Sequence, residues 1–332
     1  MPALQRILPV TARRRGRASA ASGASDAGHA TGVGPAGGTG AAGAAQAGRT
    51  QGEPGAEAVR GAVVLITGAA RGMGLLYARK AVTGGAAHVL LWDVDAAALD
   101  AAVQELNGLG AAELHPQALD LSNREALLAA AEAATERFGA VGILVNNAGI
   151  VRGKRFWDHD PVADIEATLR VNTLAPMWLT RALLPAMLTD TSRERRILNI
   201  ASAAGTLANP NMSVYAASKW AMLGWSESLR LELGKDGYRH VSVTTFCPSY
   251  VSTGMFEGAR GPLMTPILSP KAAASAAWEG MLRRTPVVMR PWTVKLGAAL
   301  RAVLPTRAWD VVGGKVFHVY SSMDKFTGRA GK

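Results

Sequence analysis

Tyr215 and Lys219 stand four positions apart in the stretch SVYAASKW, residues 213–220, with Ala216, Ala217 and Ser218 between them. On an α-helix this spacing puts a phenol and an ammonium on one face, and the small residues leave room for a ligand alongside. A free phenol, with a pKa of about 10, is a weak base at neutral pH. A neighbouring cation lowers that value, so the phenol can take a proton from an alcohol or return one to a carbonyl. Met with alone, such a pair reads as two amphipathic side chains on a surface. A catalytic reading needs a hydride carrier held beside them.

The stretch TGAARGMG, residues 67–74, supplies a place for one. It follows the apolar run AVVLIT and leads into a helical pattern. Gly68, Gly72 and Gly74 allow a tight turn and close backbone approach to a pyrophosphate, and the following helix offers unpaired N–H groups. Arg71 and Met73 lie within this turn. Asp93 ends the next apolar run, 19 residues beyond Gly74. A carboxylate there accepts hydrogen bonds from the ribose hydroxyls of an adenosine and repels a 2′-phosphate, so NAD is favoured over NADP. Arg71 is the contrary sign, being able to pair with a 2′-phosphate. Asp95 reads as a helix N-cap, and Asp120 reads either as an adenine contact or as the cap of the following helix.

The elements that position these residues follow from the alternation of short apolar runs with longer helical segments. AVVLIT, HVLLWD, ELHPQALD, GILVNN, RRILNIAS and VSVTTFCP are strand candidates, with a further edge strand at residues 286–290. Runs apolar on both faces, each followed by a helix, indicate a parallel sheet covered on both sides. The predicted fold is therefore α/β, a doubly wound Rossmann-type sheet in a single domain spanning 59–284. Cys247, the sole cysteine, reads as a small buried hydrophobe at a strand end.

These motifs, in this order, resemble the short-chain dehydrogenase/reductase family over roughly residues 61–281. TGAARGMG is similar to its glycine turn, NNAG at 146–149 to its fourth-strand motif, and Ser202 with YAASK to its active-site serine, tyrosine and lysine. The resemblance implies that Tyr215 is the acid/base, Lys219 its pKa-lowering partner and ribose contact, Ser202 the donor to the substrate oxygen, and Asn172 a proton-relay residue. It implies cofactor contacts at Asn147, Ala148 and Gly149. CPSYVSTGMF, residues 247–256, resembles the segment that wraps the nicotinamide carboxamide, with Pro248, Val251 and Thr253 in the matching places and Ser249 standing where glycine is usual. LLWDVD, GIVRGKRFWD, STGMFEG and the long C-terminal extension together look like the branch containing retinol and hydroxysteroid dehydrogenases, which implies a bulky apolar alcohol or ketone, and the family resemblance implies a homodimer or homotetramer through the two long helices. A non-catalytic NAD-binding sensor or membrane-associated scaffold is the alternative.

The formal net charge of +11 lies at the two ends. Residues 1–60 hold seven Arg against three acids, residues 283–332 hold ten Lys and Arg against two acids, and the middle holds 19 basic against 20 acidic residues. Specific nucleic-acid binding is therefore not expected. Residues 1–58, rich in Ala and Gly and without apolar periodicity, read as a disordered extension. The basic segment 285–332 reads as a substrate lid, as a peripheral contact packed on the domain or a partner subunit, or as a cationic amphipathic stretch resting on a membrane. One cysteine and no zinc-type Cys/His spacing predict a cytoplasmic setting and no metal.

Overall fold

A computed structural model of the chain describes residues 55–328. The expected disordered extension, 1–58, lies almost wholly outside the described residues. Its last residues are ordered, with a short 3₁₀ turn at Ala56–Ala58 and Ala58 and Val59 buried.

Seven parallel strands form one sheet in the order β3-β2-β1-β4-β5-β6-β7: β1 (Val63–Thr67), β2 (His88–Asp93), β3 (Glu113–Ala118), β4 (Ile143–Asn146), β5 (Arg195–Ile200), β6 (Val241–Pro248) and β7 (Val287–Arg290). Successive side chains alternate between faces. Val64, Ile66, Val89 and Leu91 pack with Tyr77, Leu99 and Trp278 from α1 (Gly72–Thr83), α2 (Ala96–Leu106) and α7 (Pro270–Leu282). Leu65, Leu90, Leu144 and Ile197 pack on the other side with Leu127, Leu179 and Leu229 from α3 (Arg124–Phe138), α5 (Ala175–Thr189) and α6 (Ser213–Lys235). This is the doubly wound α/β sheet expected from the sequence.

Strand order reverses between β3-β2-β1 and β4-β5-β6, so the crevice at the carboxyl ends of β1 and β4 is the ligand position this topology creates. The path from β4 to α5 is irregular. Wide π-type turns at Pro161–Glu166 and Arg170–Leu174 flank the short α4 (Ala167–Leu169). Pro176 at the start of α5 explains the second, because it has no N–H to offer the carbonyl of Asn172 four residues earlier.

Beyond β7 come α8 (Trp292–Val303), α9 (Thr306–Trp309) and a wide turn at Asp310–Val316. The sheet thus continues past residue 284, and the terminal segment begins by completing it. No helix among the described residues is long and apolar enough to cross a membrane.

Candidate active site

The glycine turn is closed from below and open above. Gly68 and Gly72 have φ of 63° and 57°, in the left-handed region that glycine enters without penalty. A Cβ on Gly74 would stand 1.9 Å from the Gly68 carbonyl oxygen, so α1 starts against the turn with no room for a side chain. A Cβ on Gly72 would meet only the Thr253 side chain, at 3.5 Å, which outlines a cradle between this turn and the loop after β6. Asn147 holds the floor: its Nδ2 donates to the carbonyls of Thr67 and Gly68, each at 3.0 Å, while the Thr67 hydroxyl accepts from the backbone N–H groups of Asn147 and Ala148. Asn146 donates to Asn199 on β5 at 2.8 Å.

Asp93 ends β2 facing the cradle and is tied to it, accepting from Ala70 N at 3.1 Å and from Asp95 N at 3.2 Å. Arg71 is ion-paired with Asp95, which also caps α2 through Ala98 N. Asp120 is exposed and accepts from Ser122 N, and the cap of α3 is Asn123. Pro248 ends β6, Val251 is buried and bridges to Leu268, and Thr253 N donates to the Val251 carbonyl. The residues present fit a dinucleotide: a glycine cradle, a carboxylate at the β2 end and a loop closing the far side.

Residues far apart in sequence meet beside that cradle. Asn172 is fully buried; its Oδ1 accepts from Ile150 N at 2.8 Å, and its Nδ2 donates to the Ile150 carbonyl and to Ser218 Oγ. Lys219 Nζ donates to the Ile200 carbonyl at 2.8 Å and stands 5.8 Å from the Tyr215 ring centroid. Gly149 keeps the space beside them clear, because a Cβ there would lie 3.3 Å from Asn172 Oδ1 and 3.6 Å from Lys219 Nζ. Ser202 caps a 3₁₀ turn at Ala203–Gly205, accepting from Ala204 N at 3.1 Å. Gly205 lets that turn lie against α6, where a Cβ would come within 2.7 Å of the Lys219 carbonyl. The structure therefore gathers Asn172, Ser202, Tyr215 and Lys219 in one place.

Burial sets their protonation. It pushes the Tyr215 phenol well above the usual range, and a hydrogen bond with Ser202 draws it partly back. Burial also pulls the Lys219 ammonium down to about 8, with Cys247 acting in the opposite sense.

An apolar cavity opens from Ser202, enclosing about 890 Å³ of empty space that includes open solvent. Tyr250, Phe256, Leu263 and Met264 line it, together with Trp292, Trp309 and Phe317 from the C-terminal segment. Asn209, Tyr250 and Ser322 form a hydrogen-bonded cluster in the cavity wall, with Asn209 Nδ2 at 2.8 Å from Ser322 Oγ. They were not foreseen, since 113 residues separate Asn209 from Ser322 and no local pattern joins them.

The family model described as short chain dehydrogenase matches residues 62–262. The chain belongs to the short-chain dehydrogenase family. It is 35% identical over 278 residues to mouse (Mus musculus) epidermal retinol dehydrogenase 2, covering 82% of this chain and 88% of the relative. It is 34% identical to human (Homo sapiens) estradiol 17-beta-dehydrogenase 11, covering 78% and 85%. A short-chain dehydrogenase/reductase from Burkholderia phymatum, solved in complex with NAD, matches with a TM-score of 0.66 at 29% identity, covering 74% of this chain and 94% of that one. A metagenomic short-chain oxidoreductase solved in complex with NADP matches with a TM-score of 0.59 at 30% identity, covering 70% and 97%. This family member is accordingly a nicotinamide-dependent oxidoreductase acting on CH–OH groups, and the non-catalytic alternative is not favoured.

Proposed function

We propose that this dehydrogenase interconverts a bulky, predominantly apolar alcohol with its ketone or aldehyde, using NAD in preference to NADP. The observation that carries the substrate class is the cavity, lined mainly by apolar and aromatic side chains, that opens on Ser202. Retinoid-, steroid- and other lipid-like alcohols have the matching apolar character, and the names of the relatives agree with that range. For NAD the support is the Asp93 carboxylate, together with the engagement of Arg71 by Asp95.

In this reading Ser202 donates to the substrate oxygen and holds it near the Tyr215 hydroxyl. During oxidation the substrate O–H proton passes to the Tyr215 oxygen, and in reduction it returns. The bound nicotinamide takes or supplies the hydride. Lys219, when charged, favours the phenolate that burial otherwise disfavours, and it reaches the nicotinamide ribose. Both amide hydrogens of Asn172 are already used, so its relay role runs through its backbone carbonyl, whose helical donor is missing at Pro176. Gly68, Gly72 and Gly74 with Arg71 and Met73 hold the phosphates, and Asn147, Ala148, Gly149, Pro248, Val251 and Thr253 bound the nicotinamide end. Asp120, at the end of β3, is the candidate contact to the adenine.

Two further features belong to this reading. Trp292, which lines the cavity, and Val303 are exposed at the two ends of α8 on the basic segment, which favours contact with an anionic membrane from which an apolar substrate is drawn. Trp220 and Leu231 are exposed on α6, which favours a homodimer or homotetramer through the long helices. Vesicle cosedimentation and sedimentation velocity test these two points.

The decisive assay is reduced-cofactor formation over a panel from short alcohols to retinoids and steroids, repeated with NADP. A larger kcat/KM for bulky alcohols with NAD is expected. Equal or greater efficiency with ethanol-sized alcohols, or with NADP, would overturn the corresponding part of the proposal.

A further inference from the structure

A second cluster of chemically capable side chains lies at the amino ends of β2 and β3, at the end of the sheet away from the catalytic groups. His88 is paired in register with Glu113, and Leu90 with His115. Because side chains alternate along a strand, this register turns His88, Glu113 and His115 to the same face. His88 Nδ1 lies 3.2 Å from His115 Nε2. Glu113 Oε2 lies 3.5 Å from the former nitrogen and 3.7 Å from the latter.

Those three separations define a nearly regular triangle. A single point at roughly 2.0–2.1 Å from every corner exists at its centre, which is the range of zinc bonds to imidazole nitrogen and carboxylate oxygen. Two imidazoles and one carboxylate suit zinc and its neighbours among divalent transition metals, whereas calcium and magnesium prefer oxygen donors throughout. Phe138 packs on both rings, with centroid distances of 5.1 Å to His88 and 4.6 Å to His115, and so restricts their orientation. The Glu113 side chain is 69% exposed, which gives an ion a way in and leaves room for water as a fourth ligand. Arg137 also acts on His115 and opposes a cation there, and the Glu113 carboxylate offsets it.

We propose that His88, Glu113 and His115 form a binding site for a divalent transition-metal ion of the zinc class, clipping the edge strand β3 to β2. The linear spacing shows no such site, since the register of two parallel strands creates it. The ion would stabilise the edge of the sheet and take no part in hydride transfer, being at the opposite end of β2 from Asp93.

The test is direct titration of the full chain, without a polyhistidine tag and stripped with a chelator, using Zn²⁺ in competition with a chromophoric indicator. Co²⁺ absorption supplies a second readout, sensitive to a four-coordinate nitrogen-containing site. The doubly substituted His88→Ala/His115→Ala chain and the conservative Glu113→Gln chain are titrated alongside, each checked for fold by circular dichroism and for cofactor binding. The expected result is one equivalent of Zn²⁺ bound by the wild type. Affinity should fall at least tenfold in Glu113→Gln and at least a hundredfold in the double variant, with a zinc-dependent rise in melting temperature that is largest in the wild type, smaller in Glu113→Gln and smallest in the double variant. Equal zinc affinity in wild type and double variant, or no wild-type binding tighter than millimolar, would overturn the proposal.

Discussion

The cofactor cradle and the substrate cavity meet at Ser202, yet they are built in different ways. On the cradle side the important groups are backbone: glycines at 68, 72 and 74, carbonyls gripped by Asn147, and one carboxylate, Asp93. On the cavity side they are side chains brought from the loop after β5, the loop after β6 and the C-terminal segment. A backbone site demands particular residue types at fixed local spacing. A side-chain cavity demands only total volume and apolar character, which many sequences satisfy. The cradle should therefore be intolerant of single substitutions, and the cavity should trade one substrate for another.

The largest effect that can break this comparison lies where the two meet. Tyr215→Phe removes the hydroxyl and keeps the ring packed against Phe256. Turnover should fall about 10²–10⁴-fold, the usual worth of a positioned acid/base. Cofactor binding, followed by NADH fluorescence, should be unchanged. Next comes Gly74→Ala, whose methyl would collide with the Gly68 carbonyl. The expectation is cofactor affinity at least tenfold weaker and a lower melting temperature, both measured on the apo-protein. Asp93→Asn sharpens the cofactor reading: the NAD to NADP ratio of kcat/KM should drop about tenfold, corresponding to roughly 1.4 kcal/mol of lost discrimination.

A last effect, read on stability rather than on turnover, is its pH dependence. The folded Lys219 has a pKa of about 8, below the ordinary value of about 10.4. Between these values the unfolded chain binds more protons, so the burial penalty on the ammonium is present below pH 8 and is relieved as pH rises toward 10. Relative to Lys219→Met, the wild type should therefore gain stability over that interval. Paired denaturation curves at pH 7 and 9.5 check the sign.

The same contrast explains what the sequence revealed. The sheet was legible because each strand is a short apolar run followed by a helical segment, and its seventh strand was legible at residues 286–290. The candidate catalytic residues could be named because several motifs in a fixed order resemble one family, with Tyr215 and Lys219 at helical spacing and the glycine turn and Asp93 at strand ends. Asn209, Tyr250 and Ser322 were not legible, since their cluster exists only after the C-terminal segment folds across the loop following β6. The packing of the terminal segment was hard to read for a related reason: its basic residues stand out in composition, while its buried apolar residues, Val288, Val294, Trp309 and Met323, are few and widely spaced.

The division of labour between the two halves is tested most directly by a substrate panel run on the wild type and on Leu263→Ala/Trp292→Ala, two cavity residues outside the cradle. The ratio of kcat/KM for a bulky apolar alcohol to that for a short alcohol should fall at least tenfold in the variant, with the KM for NAD unchanged. An unchanged substrate ratio accompanied by a shifted KM for NAD would contradict the account.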